Sequence, residues 1–143
     1  MKVKFLKIMD GAIIPFYAHK GDAGLDIFSA ENVMLGAGER KRVKTGIKIE
    51  LPKGCVGLVW DKSGIALNEG VKIMGGVIDS GYRGEILIVL VNLGKNSYGI
   101  KRGQKIAQLL IQKIEEAEIE IVDIIGETNR GADGFGSTGS YIK

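Results

Sequence analysis

The sequence predicts an all-β protein with one short helix, because strand-like segments follow one another along most of the chain. Glycine-rich turn signals separate these segments, and only one stretch has the start signal and spacing of a helix. The length of 143 residues is enough for one domain with a buried core. Many short strands joined by regular turns are typical of a β-sandwich or a β-barrel.

The strands are predicted from two kinds of apolar pattern. Residues 43–51 alternate apolar and polar side chains, which indicates a strand buried on one face. Continuous apolar runs at 86–91 and 106–111 indicate strands buried on both faces, and residues 119–125 alternate loosely. The one predicted helix spans Ser63–Glu69. Turn signals separate the segments at 35–38, 52–54, 75–76, 93–96 and 102–103.

The composition favours a cytoplasmic protein without a membrane partner. Hydrophobic residues make up 45% of the chain and charged residues 26%, which is ordinary for a globular domain. No apolar run approaches the length that spans a membrane. The first ten residues alternate charged and apolar side chains, so they lack the apolar core of a signal peptide. The single cysteine, Cys55, excludes an internal disulfide and is expected to be a small buried side chain.

The distribution of charge gives no reason to expect a nucleic-acid partner. The net charge is +3, and the basic cluster at 40–44 and the acidic cluster at 115–120 are interpreted as solvated faces. His19 is the only histidine, so neither a histidine-rich metal site nor a Ser-His-Asp triad is easy to build. These observations exclude several kinds of site but indicate no function by themselves.

The most informative segment is the glycine-rich stretch at 130–139. Glycine allows successive backbone N–H groups to wrap around an anion, and the guanidinium of Arg130 suits a phosphate. Phe135 adds a flat face that can stack on a ring. The segment indicates a lid that closes over a nucleotide. A glycine- and serine-rich spacer is the alternative interpretation, and it needs neither Arg130 nor Phe135.

Three internal segments carry polar groups that a plain β-sandwich does not need. Asp26 follows a turn, and residues 62–64 place a cation, a hydroxyl and a glycine at the predicted helix N-terminus. Asp79 and Tyr82 lie three residues apart among glycines. Each segment alone is most simply a turn with an ordinary cap. Together with the C-terminal segment they indicate a nucleotide site, which Mg²⁺ would complete because it prefers oxygen ligands and phosphates.

With these segments the chain resembles the trimeric dUTPase family, which carries five short motifs in a fixed order. The resemblance covers nearly the whole chain, from about residue 15 to residue 139, and the third and fifth motifs are highly specific. The matching segments are 23–27, 61–66, 76–85, 103–108 and 130–139.

The resemblance implies a homotrimer of β-barrel or jelly-roll subunits with active sites between subunits. Residues 1–129 would form the catalytic domain, and residues 130–143 would be a flexible arm that closes a site formed by the other chains. The implied reaction is Mg²⁺-dependent hydrolysis of dUTP to dUMP and pyrophosphate, by attack of water on the α-phosphorus. Such an enzyme limits uracil incorporation into DNA and supplies dUMP.

The resemblance also implies roles for individual residues. Asp79 would be the general base, and Tyr82 would pack under the deoxyribose and leave no room for a ribose 2′-OH. A hairpin at 76–87 would read uracil through main-chain bonds, Phe135 would stack on the uracil, and Asp26 would support the metal through water. The remaining implied substrate-binding residues are Lys62, Ser63, Gly64, Gly76, Val77, Ile78, Leu87, Gln108, Arg130, Gly136 and Ser137.

Two positions depart from the family pattern, which usually has arginine where this chain has Lys62 and Lys105. Lysine keeps the positive charge but loses the bidentate fork of arginine. The neighbouring Asp61 is an acid close to the predicted phosphate site, and it could pair with Lys62.

Two other functions are alternatives to dUTP hydrolysis. The related dCTP deaminases carry a catalytic glutamate where this chain has Val89. A nucleotide-binding module without turnover would have no need to keep Asp79, Tyr82, Arg130 and Phe135. A pyrophosphate-release assay with dUTP separates the three hypotheses.

Overall fold

The computed structural model describes residues 1–134, which form ten β-strands and one short helix. The helix, α1, spans Ser63–Glu69, and these are the bounds predicted from the sequence. No helix in this part of the chain is long and apolar enough to cross a membrane. The strands are β1 (Lys4–Lys7), β2 (Leu25–Phe28), β3 (Val33–Leu35), β4 (Arg40–Glu50), β5 (Cys55–Asp61), β6 (Val71–Met74), β7 (Val77–Asp79), β8 (Glu85–Asn92), β9 (Tyr98–Ile100) and β10 (Lys105–Lys113).

The strands form two four-stranded sheets and one two-stranded sheet, and every strand pairing is antiparallel. The first sheet has the order β1-β4-β8-β6 and the second has the order β2-β10-β5-β7, while β3 pairs with β9. Most neighbouring strands are distant in sequence, so the chain crosses repeatedly between the two large sheets, as in jelly-roll folds. The prediction of an all-β fold with one short helix is confirmed.

One hydrophobic core joins the two large sheets. The first sheet contributes Ile47 and Ile88, the second contributes Ile27 and Leu109, and all four side chains are at most 1% exposed. Burying a side chain of this size stabilises the folded state by about 1.5–3 kcal/mol. Cys55 is also buried, as predicted.

Strand β8 is buried on one face only, whereas the sequence predicts burial on both faces. Ile88 and Leu90 face the core and are at most 2% exposed. The outer face of β8, formed by Leu87, Val89 and Val91, is only half-buried. A continuous apolar run predicts that both faces of a strand are covered, but it does not say whether the same chain covers them. The described part of this chain fully covers only the inner face of β8.

The strand predicted loosely at 119–125 is wrong, because residues 114–134 belong to no strand or helix. Ile119, Ile121 and Ile124 are 89%, 96% and 85% exposed. Strand β10 already pairs with β2 along one edge and with β5 along the other. The segment that follows β10 therefore leaves the sheet without finding another edge in the described part of its own chain.

A glycine bulge bends β4 where it passes the start of β8. The register between β4 and β8 shifts between Lys44 and Lys48, and Gly46 has a φ of 69°. A Cβ atom at Gly46 would lie 2.8 Å from the Cβ of Ala12 and 2.9 Å from the Cβ of Met9. Both the backbone conformation and the available space therefore require glycine.

We expect Gly46→Ala to lower the free energy of unfolding by about 2–4 kcal/mol, because the positive φ and the overpacking each cost energy. Gly38→Ala is the matched control, since Gly38 has a φ of 73° but no atom within 4 Å of its Cβ position. The control should lose only about 1 kcal/mol. Urea unfolding followed by circular dichroism measures both variants. Equal losses would show that packing around Gly46 is unimportant.

Candidate active site

Between Met74 and Glu85 the chain crosses from the first sheet to the second and back, and a cleft opens between the strands formed there. Strand β7 pairs with β5 in the second sheet, whereas β8 pairs with β4 and β6 in the first. The hairpin predicted at 76–87 is therefore wrong as a paired ladder, because its strands belong to different sheets. The space between them, the β7–β8 cleft, measures about 590 Å³ and is open to solvent.

The β7–β8 cleft brings together the predicted general base and five predicted substrate-binding residues. These residues are Gly76, Val77, Ile78, Asp79, Tyr82 and Leu87. Sequence reasoning missed most of the other side chains of the cleft, because nothing in an apolar pattern separates a cleft wall from the core. The missed residues are Val59, Ile73, Met74, Ile88 and Val89, while Glu85 and Ile86 lie within the segment implied at 76–87.

Asp79 is the last residue of the edge strand β7, and its side chain is exposed at the cleft. The turn that follows is fixed by the N–H of Tyr82, which donates to the carbonyl of Asp79 over 3.0 Å. Nη1 of Arg83 donates to the carbonyls of Ser80 and Tyr82 at 2.7 and 2.8 Å. No salt bridge within residues 1–134 involves Asp79, so the turn holds a carboxylate that is open to a water molecule.

The ring of Tyr82 stands at the same cleft and is held by its hydroxyl, which donates to the carbonyl of Glu85 at 2.8 Å. Because a Cβ atom at position 84 would collide with this hydroxyl, glycine at that position leaves room for the Tyr82 ring. The side chain remains 43% exposed. It therefore offers a flat apolar face on which a sugar or a base can pack.

Gly76 carries the backbone around the corner into the cleft. Its φ is 107°, and a Cβ atom there would lie 2.7 Å from the carbonyl oxygen of Val59. The carbonyl of Gly76 accepts a hydrogen bond from the N–H of Val59 at 2.7 Å. Any larger residue would push this wall of the cleft away from β5.

A second pocket lies beside β2 and β10 and brings together Asp26, Lys62 and Gln108. This β2–β10 pocket measures about 540 Å³. The strand register explains the grouping, since Gln108 pairs with Asp26 on one side and with Trp60 on the other, and Lys62 follows at the start of α1. The loop that completes the pocket contributes Ala23 and Gly24, which belong to the predicted motif at 23–27, and also Ala18 and Asp22, which sequence reasoning missed.

Asp26 is a buried carboxylate held between two lysines. Its side chain is 3% exposed, with Nζ of Lys62 2.6 Å from Oδ1 and Nζ of Lys105 2.7 Å from Oδ2. Burial raises the pKa of Asp26, but the hydrogen bonds and charges of Lys105 and Lys62 together lower it more, so this pKa lies below its ordinary value. The two ammonium groups outnumber the one carboxylate between them, and Asp22 adds a second negative charge to the same pocket.

The pairing of Lys62 with Asp61 that the sequence suggests is wrong. Asp61 pairs with Lys72 at 2.6 Å, while Lys62 reaches Asp26, 36 residues earlier in the chain. Successive side chains at the end of a strand point to opposite sides, so neighbours in sequence seldom pair there.

Three predicted phosphate-binding residues line neither pocket. Ser63 and Gly64 begin α1, whose first turn has no side-chain cap, so its amides are open to an anion. Arg130 lies in a turn in which its Nε donates to the carbonyl of Asp133 at 3.0 Å. The remaining predicted residues lie outside the described part of the chain, and they are Phe135, Gly136 and Ser137.

The described residues fit a magnesium ion carried by phosphates better than one held by a protein cluster. Within residues 1–134 no three His, Cys, Asp or Glu side chains form a group that could hold a metal ion. Both oxygens of Asp26 face lysine ammonium groups. Mg²⁺ usually keeps several waters and binds through phosphates with one or two carboxylates, and Asp22 and Asp26 line one pocket where such a water shell would fit.

The two pockets share no lining residue. The β7–β8 cleft has an aromatic ring and the carboxylate of Asp79, which forms no salt bridge within residues 1–134, while the β2–β10 pocket has a lysine ammonium group. The described part of one chain thus presents these groups in two separate pockets, which are called half-sites below.

Comparison with protein families and curated sequences gives consistent results. The family model described as dUTPase matches residues 10–139. The deoxyuridine 5'-triphosphate nucleotidohydrolase of Clostridium kluyveri is 49% identical over 142 residues, covering 98% of this chain and 99% of the relative. The protein of the same name from Trichodesmium erythraeum is 46% identical over 142 residues, covering 98% of this chain and 100% of the relative.

Solved structures show the same similarity. A dUTPase of Staphylococcus bacteriophage 80alpha with dUpNHpp superimposes with a TM-score of 0.91 at 32% identity, over 97% of this chain and 99% of that chain. A mutant dUTPase from phage phi11 of S. aureus gives a TM-score of 0.83 at 29% identity, over 89% of this chain and 100% of that chain. The phi11 structure reveals how that protein coordinates a structural Mg(II) ion.

We expect Asp26→Asn to lower the free energy of unfolding at pH 7 by about 1–3 kcal/mol, because two lysines lose their buried carboxylate while they can still reach water. A carboxyl whose pKa is lowered by folding contributes stability above its ordinary pKa, near 3.8, and that stability is lost as the pH falls through the folded-state value. The difference between wild type and variant should therefore shrink below about pH 4. Urea unfolding at pH values from 7 to 3, monitored by Trp60 fluorescence, measures this difference in the free energy of unfolding.

The control for this comparison is Glu50→Gln, which breaks the exposed pair between Lys4 and Glu50 at 2.7 Å. An exposed pair contributes little, so this variant should stay close to wild type. If Asp26→Asn were no less stable than Glu50→Gln at pH 7, the buried ion pairs would not stabilise this pocket.

Proposed function

We propose that Asp79 is the general base of this chain, which belongs to the dUTPase family and is a dUTP diphosphatase. The enzyme hydrolyses dUTP to dUMP and pyrophosphate. The observation that carries this conclusion is the position of Asp79 at the β7–β8 cleft, beside Tyr82 and the main chain of 76–78. A carboxylate that forms no salt bridge within residues 1–134 supports a role in taking a proton from water.

Asp79 orients one water molecule and accepts its proton as the water oxygen attacks the α-phosphorus of dUTP. The bond from the α-phosphorus to the oxygen that bridges it to the β-phosphorus breaks, so pyrophosphate leaves and dUMP keeps the new oxygen. Proton transfer to a positioned carboxylate contributes roughly 10²- to 10⁴-fold to the rate. The remaining acceleration comes from positioning and from neutralising the phosphate charge.

The positive charge for the triphosphate comes from Lys62 and Lys105, which outnumber the one carboxylate between them. Ser63 and Gly64 add hydroxyl and main-chain donors at the start of α1. Magnesium bound to the phosphates would neutralise further charge, with Asp26 in contact through water. The other proposed phosphate contacts are Gln108, Arg130, Gly136 and Ser137.

Selectivity for dUTP follows from the walls of the β7–β8 cleft. The ring of Tyr82 packs under the deoxyribose and leaves no room for a 2′-OH, while the main chain of 76–78 and Leu87 hold the uracil. Cytosine would leave buried donors and acceptors mismatched, which is costly. Phe135 completes the site by stacking on the uracil.

We also propose that the protein works as a homotrimer, in which each active site joins the β7–β8 cleft of one copy to the β2–β10 pocket of another. The absence of shared lining residues supports this arrangement. The half-buried outer face of β8 and the exposed isoleucines of 119–125 supply apolar surface for such contacts. The arm at 130–143 of one copy would then close a site formed by the others.

The division into a catalytic domain at 1–129 and an arm at 130–143 stays a prediction, as does a cytoplasmic location without nucleic-acid or membrane partners. The end of β10 at Lys113 supports an arm that lies outside the sheets.

We expect the purified protein to release pyrophosphate from dUTP in the presence of Mg²⁺, and to act far less on dTTP, dCTP or UTP. Asp79→Asn should lower kcat by at least about 100-fold, because an amide cannot take the proton from water. Binding of a non-hydrolysable dUTP analogue, measured by calorimetry, should change little. Asp10→Asn is the matched control, since Asp10 is an exposed aspartate outside both pockets.

Ammonia release from dCTP would favour a deaminase instead, and binding without turnover of any deoxynucleotide would favour a non-catalytic module. If Asp79→Asn kept most of the wild-type kcat, another group would have to be the base.

We expect two inactive variants to restore activity in each other when they are co-expressed. One variant is Asp79→Asn with an intact arm, and the other keeps Asp79 but ends at residue 129. In mixed trimers the arm of the first can close over the base of the second, so pyrophosphate release from dUTP should return. Purification through two different affinity tags selects the mixed assemblies.

The truncated variant alone should keep a thermal transition close to that of wild type, because the last strand ends at Lys113. Mixed assemblies that stay inactive would show that the arm acts on its own chain or not at all. A truncated variant with full activity would show that the arm is dispensable.

A further inference from the structure

Asp61 connects two strands that are not neighbours in any sheet. It is the last residue of β5, which belongs to the second sheet, and its carboxylate reaches β6 at the edge of the first sheet. Oδ1 of Asp61 accepts a hydrogen bond from the N–H of Ile73 at 2.7 Å, and Oδ2 lies 2.6 Å from Nζ of Lys72. The side chain therefore ties the two sheets together at one point.

The two strands that Asp61 ties are opposite walls of the β7–β8 cleft. Strand β5 contributes Val59 to this cleft, and β6 contributes Ile73 and Met74. Gly76, whose carbonyl accepts a hydrogen bond from the N–H of Val59, also lines the cleft. Asp61 does not line this cleft, but with Lys72 it lines an adjoining pocket that shares Val59 and Ile73 with the cleft.

The same residue also contacts the β2–β10 pocket through its main chain. The carbonyl of Asp61 accepts a hydrogen bond from Nε2 of Gln108 at 2.8 Å. The next residue, Lys62, forms the ion pair with Asp26. Asp61 thus lies between the two half-sites and bonds to both.

The carboxylate is charged under neutral conditions. Burial raises the pKa of Asp61, but the hydrogen bonds from Lys72 and from the Ile73 amide, with the charge of Lys72, lower it more, so this pKa lies below its ordinary value. An ionised carboxylate only accepts hydrogen bonds, which suits a group that faces an ammonium and a backbone N–H.

We propose that Asp61 is a positioning residue that sets the width of the β7–β8 cleft, and so sets the affinity for the nucleoside end of the substrate, without touching it. This inference rests on the proposed dUTP hydrolysis. The bond to the Ile73 amide is the essential part, because it joins the walls directly, whereas Lys72 is a partner that is 57% exposed and free to move.

Three substitutions separate the effect of the hydrogen bond to the Ile73 amide from the effect of the negative charge of Asp61. Asp61→Ala removes the acceptor, Asp61→Asn keeps an acceptor for the Ile73 amide but removes the charge, and Asp61→Glu keeps the charge but lengthens the tie by one methylene. Lys72→Met is the matched control, because it removes only the ion pair. Steady-state turnover of dUTP gives KM and kcat, calorimetry gives the Kd of dUMP, and product inhibition gives the affinity for pyrophosphate.

Asp61→Ala and Asp61→Glu should raise both the KM for dUTP and the Kd of dUMP about 10-fold, the effect expected from losing one hydrogen bond to a charged group. Inhibition by pyrophosphate, which does not occupy the nucleoside cleft, should stay within about 3-fold of wild type. Asp61→Asn and Lys72→Met should also stay within about 3-fold in all these constants. A merely destabilised protein would instead lose active fraction, and so kcat, at unchanged KM.

Wild-type affinity for dUMP in both Asp61→Ala and Asp61→Glu would overturn the inference, and so would an equal loss in Asp61→Asn. If Asp61→Ala does not fold by circular dichroism, the comparison of Asp61→Glu with Asp61→Asn decides. Failure of the proposed function would look different, because the wild-type protein would then neither turn over dUTP nor bind dUMP.

Discussion

The site depends on one constraint of the backbone, which is that the chain must leave the first sheet, join the second for the three residues of β7, and return as β8. Each corner needs glycine. Gly75 and Gly76 have φ values of 74° and 107° at the first corner, and Gly84 leaves space for the Tyr82 hydroxyl at the second. Because β7 and β8 belong to different sheets, a cleft rather than a paired ladder lies between them.

Charge is distributed unequally between the two half-sites. In the β2–β10 pocket a single buried carboxylate faces two ammonium groups, whereas Asp79 at the cleft has no salt bridge within residues 1–134. A triphosphate needs cations around its phosphates and a free base near the water, so the two environments are complementary. Neither environment would serve in the place of the other.

Lysine in place of the family's usual arginine fits the geometry around Asp26. Each oxygen of this carboxylate receives one ammonium group, at 2.6 Å from Lys62 and 2.7 Å from Lys105. A guanidinium at either position would tend to engage both oxygens through its planar fork and would compete with the other cation. Two point charges on flexible stems share one carboxylate more easily, and each keeps donors for a phosphate.

Local features of the fold were predictable from the sequence, and non-local ones were not. The bounds of α1 follow from local signals, and Asp79 and Tyr82 are marked by the glycines around them. The separation of β7 from β8 is decided by pairing with distant strands, so the hairpin that the family resemblance implies could not be tested from local sequence alone. The partner of Lys62 is likewise decided by the alignment of β2, β10 and β5, which joins residues 36 positions apart.

The two burial predictions that failed share one physical cause. The outer face of β8 and the isoleucines of 119–125 carry the apolar pattern of covered strands, yet the described part of one chain leaves them exposed or half-buried. Covering one such side chain stabilises a structure by about 1.5–3 kcal/mol, so leaving several exposed forgoes a large stabilisation. Apolar surface that one chain leaves exposed supports the proposed homotrimer. Such a homotrimer would also bring together the two half-sites, which share no lining residue within one chain.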